Sequence, residues 1–198
     1  MDRPEISEHL RVRRASAADA EALAALAALT FPLACPPDTP RERLDAHITR
    51  HLTESAFAKH LSDANTEVFV AEDTAAPQLK LVAYTVSIWG RPAAEDVREA
   101  IEWDANPNPQ ATVELSKCYA DPAVHGTGLA SELLDATLRY LTQAGAKTVW
   151  LGTNDHNVRA VTFYKKHGFT KCGSREFNLA KEVFTDYVMW LRPGLGEG

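Results

Sequence analysis

The chain has 198 residues, a net charge of −6 and an apolar fraction of 45%. These values suggest one domain, long enough to bury a core without disulfide or metal staples. No basic stripe is present, which argues against nucleic-acid binding. Cys35, Cys118 and Cys172 are odd in number, far apart and without a C-x-x-C, which argues against a disulfide framework and suits a reducing, cytoplasmic setting. Residues 1–5 lack the apolar region of a secretory signal, and no apolar run reads as long enough to cross a membrane.

Residues 10–15 alternate in hydropathy and read as a first strand. Ser16 followed by Asp19 reads as an N-cap with an acid at the third helical position, ahead of a helix through Ala20, Leu23, Leu26 and Leu29. Three prolines between Phe31 and Pro37 end that helix. Thr39-Pro40-Arg41-Glu42 predicts a capping box with proline at the first position of a second helix, running to about Leu52. A short third helix follows over 55–61. Residues 66–71 and 79–89 read as strands joined by a turn over 73–77. Residues 90–109 form a mostly acidic insert in which Val97, Ala100 and Ile101 fall at helical spacing. Trp89 and Trp103 flank its acids and suggest themselves as walls of a substrate pocket. Residues 112–120 are the next strand. Leu129, Leu133, Leu134, Thr137, Leu138 and Leu141 share one helical face, and Gly145 suits the C′ position. A buried strand at 148–151, a helix over 157–166 closed by Gly168, a strand pair at 174–179 and 183–191, and a frayed tail at 193–198 complete the chain. This order predicts an α+β fold, a mixed and mostly antiparallel sheet with helices on both faces.

His125-Gly126-Thr127-Gly128-Leu129-Ala130 joins a strand to an amphipathic helix. Two glycines there leave backbone N–H groups bare where the helix N-terminus concentrates positive charge, which suits a phosphate-bearing ligand. The loop is not a P-loop, since no Gly-Lys-Ser/Thr follows. Ser131 can stand for the third glycine of a dinucleotide motif, but residues 148–153 end without the required acid. The loop alone fits a plain strand-to-helix turn equally well.

The wider pattern resembles a known family. Glu114 to Pro122 followed by His125-Gly126-Thr127-Gly128-Leu129-Ala130 is similar to the acetyl-CoA signature Gln/Arg-x-x-Gly-x-Gly/Ala of the GNAT superfamily of N-acetyltransferases, with His125 in place of Gln or Arg. Asn157, Tyr164 and Gly168-Phe169 resemble the family's second motif. The resemblance covers about 113–169 and implies a single GNAT domain with the acyl-CoA N-acyltransferase fold. It also implies acetyl transfer from acetyl-CoA to an unidentified amine acceptor, without a metal. The diphosphate would lie on the N–H groups of Gly126, Thr127, Gly128, Leu129, Ala130 and Ser131, with His125 beside it. The pantetheine arm would pair with Cys118, Tyr119 and Ala120 as an added strand, where two parallel strands splay apart, and Asn157 would contact the same arm. Family members often dimerise, which extends to a homodimer here by analogy.

An alkyl amine has a pKa of ~10 and arrives protonated, so a base is needed. Glu114 matches the position of the base in histone-type members; a plain strand carboxylate is the competing account. Other members place an acid near Gly152, a route that glycine removes. Tyr164 matches the tyrosine that protonates the departing thiolate; a core tyrosine beside Val161 is the alternative. Cys118 as a nucleophile lacks a neighbouring base. His47 and His51 share a helix face, but no third ligand or zinc-protease glutamate accompanies them. A non-catalytic acyl-CoA sensor is the competing function.

Overall fold

Local signals place most elements where the sequence predicts them. In a computed structural model, which describes residues 9–35, 39–76, 80–106, 108–179 and 182–192, the chain runs through β1 (Leu10–Arg14), α1 (Ala20–Thr30), α2 (Arg41–His51), α3 (Glu54–Ser62), β2 (Thr66–Asp73), β3 (Lys80–Trp89), α4 (Glu95–Ala100), β4 (Thr112–Ala120), α5 (Leu129–Gln143), β5 (Thr148–Asn154), α6 (Val158–Lys166), β6 (Thr170–Leu179) and β7 (Glu182–Leu191). The strands form one mixed sheet in the order β1-β2-β3-β4-β5-β7-β6. β1/β2, β5/β7 and β6/β7 are antiparallel, whereas β4 and β5, joined through α5, are parallel, as a helical crossover requires. Two compact units share the chain: Met1–Val86 with Lys117–Leu138, and Ser87–Ser116 with Arg139–Gly198.

In the first unit, the link from β1 to α1 is fixed by charge. Asp19, at the N-cap of α1, has both oxygens held by Arg13, each at 2.8 Å, and its Oδ2 also accepts from the Ser16 N–H at 2.7 Å. Arg13 Nε donates to Glu72 on β2 at 2.7 Å. Asp19 is 1% exposed, and the Arg13 hydrogen bonds hold its carboxyl below the ordinary value of 3.8. A carboxyl with a depressed folded pKa contributes stability above its unfolded pKa and loses it as the pH falls toward the folded one. Removing one partner of a buried pair typically costs ~3–5 kcal/mol. Asp19→Asn is therefore expected to lower the urea midpoint at pH 7 by that equivalent, with a gap from the parent that narrows below pH 3.8. Equal midpoints at pH 7 would contradict this account of the link.

Two sequence expectations change in this unit. Thr39 forms no capping box: its Oγ1 is buried without a partner among the described residues, and the Pro40 carbonyl instead accepts from the Arg43 and Leu44 N–H groups. Proline thus stands one position earlier than expected. The helical run Ala17–Ala34 is apolar and long enough, with mean hydropathy 1.4, to cross a membrane by length and composition, contrary to the expectation that no run is. It is broken by 3₁₀ turns at both ends, the second containing Pro32. It also buries Leu23 and Ala27 completely, as a core helix does.

The second unit contains the acidic insert. Its helix α4 turns Val97 and Ile101 inward to pack with Trp103, Trp150 and Val188. Trp103 is 6% exposed, so it belongs to the core and is not a pocket wall. Hydropathic spacing prevailed over net charge: three apolar residues on one side suffice to dock a six-residue helix whose acids face outward.

Candidate active site

In the first unit, β4 leaves the sheet where the Asp121 N–H donates to Val82 O at 2.8 Å. Asp121 Oδ1 accepts from the Ala123 N–H at 2.8 Å and caps a 3₁₀ turn over Pro122–Val124. The next glycines adopt φ of 83° at Gly126 and 86° at Gly128, a region that side chains other than glycine enter at a cost. Thr127 holds them in place: its Oγ1 donates to Val124 O at 2.8 Å and accepts from the Leu129 N–H at 3.3 Å. The Gly128 carbonyl accepts from the Ser131 and Glu132 N–H groups and begins α5, and Leu129 is fully buried beneath the loop. The expected run of bare N–H groups from Gly126 to Ser131 is therefore too broad. Those of Thr127, Leu129 and Ser131 bond within the loop, whereas those of Gly126 and Gly128 have no protein acceptor among the described residues. His125 is exposed, and Ala130 and Ser131 lie half-buried in the first turn of α5.

Cys118, Tyr119 and Ala120, at the end of β4, are half-buried. The Tyr119 ring stacks on Tyr84 at 5.7 Å, and Tyr84 meets Phe57 of α3 edge-on. Strand alternation then turns Cys118 and Ala120 to the opposite face. His47 of α2 stacks on Phe31 at 4.3 Å and lies 4.8 Å from His51. Burial, then His51 and Lys117, push the His47 imidazole pKa down. No cluster of three or more metal-ligating side chains occurs among the described residues.

In the second unit, β4 pairs with β5 only at Thr112–Thr148, Val113–Val149 and Glu114–Trp150. Beyond Trp150, β5 runs on to Asn154 while bonded along its other edge to β7. The strands therefore part after Glu114, which is half-buried at that point. Asn157 caps α6, its Oδ1 accepting from the Ala160 N–H at 3.0 Å. The helix closes with a Schellman motif: the Gly168 N–H bonds to Lys165 O and the Phe169 N–H to Tyr164 O. Gly168 has φ 85°. The motif usually brings together the residues that flank it, and here the Tyr164 and Phe169 rings meet at 5.8 Å. Phe169 is the buried partner, at 1% exposed, while Tyr164 is only half-buried. The Gly-Phe pair thus clamps Tyr164 while Phe169 fills the core position.

Sequence reasoning missed a feature beside Gly152. Arg175 of β6 and Asp186 of β7 are cross-strand partners joined at 3.2 Å, and the guanidinium lies against Gly152, where a Cβ would come within 2.3 Å of its Nη2. Burial raises the Asp186 carboxyl pKa above its ordinary value, opposed by Arg175. Only the absence of an acid at Gly152 was visible in the sequence.

Residues 37–169 match the model of the acetyltransferase (GNAT) family. The chain is 38% identical over 171 residues to an uncharacterised N-acetyltransferase of Mycobacterium tuberculosis, covering 86% of this chain and 96% of the relative. A mycothiol acetyltransferase of Geodermatophilus obscurus is 36% identical over 63 residues, 32% of this chain and 20% of that protein. Among solved structures, the PaiA N-acetyltransferase of Thermoplasma acidophilum in complex with coenzyme A aligns with TM-score 0.69 at 15% identity, covering 92% of this chain and 98% of that one. The ribosomal-protein-S5-alanine acetyltransferase of Vibrio fischeri aligns with TM-score 0.67 at 13% identity, covering 97% of each. At these identities the structural matches establish the fold.

Proposed function

Because the chain belongs to the acetyltransferase (GNAT) family and is an N-acetyltransferase, we propose that it moves the acetyl group of acetyl-CoA to a primary amine by direct attack, with Glu114 as base and Tyr164 as acid. The observation that carries this reading is the pair of open N–H groups at Gly126 and Gly128 ahead of the 15-residue α5. Two open donors at the positive end of a helix are suited to a diphosphate. The pantetheine arm then follows the Cys118-Tyr119-Ala120 backbone as an added strand.

Glu114 takes a proton from the ammonium, directly or through one water, so that the neutral amine attacks the thioester carbon. A backbone N–H of Cys118 or Tyr119 donates to the carbonyl oxygen as it gains charge, an interaction typically worth ~3 kcal/mol of barrier. Tyr164 donates its phenolic proton to the departing sulfur as the C–S bond breaks, and the proton that the attacking nitrogen sheds as the amide forms returns, through water, to the phenolate. The place of Tyr164 in the Schellman clamp with Phe169 supports this role, because an acid must be held at a fixed distance.

A thiol-release assay with acetyl-CoA and a panel of primary amines, run beside calorimetry with acetyl-CoA, tests the proposal. Binding with no CoA release from any amine would make the chain a non-catalytic acyl-CoA sensor. Tyr164→Phe is expected to lower kcat by ~10- to 100-fold, the lower range for loss of a general acid, with a smaller change in acetyl-CoA affinity. Unfolding of that variant, with turnover per folded molecule intact, would mean that the phenol serves packing alone.

A further inference from the structure

Resting on the reading of Glu114 as the base, we propose that Trp150 and Arg175 hold a carboxylate on the acceptor, so that the amines acetylated are amino acids or similar small amino-carboxylates. Glu114 and Trp150 are directly paired, so their side chains share a sheet face, and Gly152 lies on that face two residues further along β5. That is about 7 Å along the strand, on the stretch that β4 no longer covers.

Gly152 leaves this face open to a guanidinium. A Cβ there would lie 2.3 Å from Arg175 Nη2, 2.5 Å from Cζ and 2.6 Å from Nε, so Arg175 lies across the backbone, with Cζ 5.6 Å from the Trp150 ring. Arg175 donates to one oxygen of Asp186, from Nε at 3.3 Å and Nη2 at 3.2 Å. Its Nη1 has no protein acceptor among the described residues. Trp150 is 3% exposed, and its indole N–H is buried without a partner among the described residues. A buried donor left unmet is costly and rare in a folded protein.

The indole N–H is buried and the Arg175 Nη1 group is partly exposed; both are donors, and a group that only accepts satisfies both, which among common groups on small amines is the carboxylate. Asp186 balances the charge of Arg175, so recognition depends on hydrogen bonds to an oriented guanidinium and is strengthened where water is excluded. A molecule with its carboxylate near Gly152 directs its amine along the strand toward Glu114.

The test is thiol release from acetyl-CoA with L-amino acids, their carboxamides and spermidine, each as kcat/KM. The expected result is at least a tenfold preference for acid over carboxamide, with spermidine poorer still. The double variant R175Q/D186N keeps a neutral hydrogen-bonding pair and avoids stranding a buried charge; it should bring the acid-to-amide ratio close to one. W150F, which keeps the ring and removes the N–H, should lower the ratio severalfold. D186N, which leaves Arg175 without its counter-charge, should raise it. A merely structural pair would leave the ratio unmoved in all three variants, and that result overturns the proposal. So does turnover confined to carboxamides or spermidine, or failure of every amino acid in a chain that binds acetyl-CoA. Loss of acetyl-CoA binding in R175Q/D186N along with all turnover overturns it too. An unaltered protein that neither binds acetyl-CoA nor releases thiol with any amine refutes the acetyltransferase reading itself.

Discussion

Gly126→Asp is expected to abolish measurable acetyl-CoA binding, a loss of at least 100-fold by calorimetry. Two effects act together. At φ 83° any side chain carries a backbone penalty of ~1–2 kcal/mol, about tenfold. The larger effect is charge: a carboxylate at the first open N–H occupies the place proposed for the diphosphate and repels it. Gly126→Ala separates the two. No atom lies within 4 Å of the Cβ it would introduce, so alanine adds backbone strain without a clash and should weaken binding only about tenfold. Raising the ionic strength should recover part of the difference between the Asp and Ala variants, since the loop is exposed and the repulsion is screened. Equal affinities for Asp and Ala would mean that the loop binds no phosphate. Unchanged affinity in both would remove the loop from the cofactor site altogether.

The glycine loop was legible because its signal is local. Positive φ and an N-terminal turn are properties of a few consecutive residues, as are the Schellman closures at Gly145 and Gly168, where the sequence places a glycine one residue past each C-cap. Wherever partners came from elsewhere in the chain, the reading weakened. β5 extends three residues beyond the apolar run that announces it, because Gly152, Thr153 and Asn154 are held by Val188, Tyr187 and Asp186 of β7. The capping box expected at Thr39 is a local pattern overruled by burial of its hydroxyl. The Arg175–Asp186 pair depends on the register of two ten-residue strands with an irregularity between Lys171 and Gly173, and one residue of slip would put every side chain on the other face.

Glu114→Gln carries the second large effect. Glutamine keeps the size and the hydrogen-bonding oxygen of a half-buried side chain opposite Trp150, so the change in stability should stay within about 1 kcal/mol. Its amide cannot accept a proton from an ammonium. An alkyl amine with a pKa of ~10 is neutral in only about one molecule per thousand at pH 7, which bounds what a base can supply through deprotonation alone. The expected kcat/KM at pH 7 is therefore lower by roughly 100- to 1,000-fold, in the range of general-base losses. The residual rate has a signature of its own. With no base on the protein, it should follow the fraction of neutral amine, rising about tenfold per pH unit until the amine pKa near ~10 is reached. Amines of lower pKa should be impaired less, because more of each is already neutral at pH 7. A residual rate that is flat with pH, or a loss equal for all amines, would mean that Glu114 positions the acceptor and that another group takes the proton.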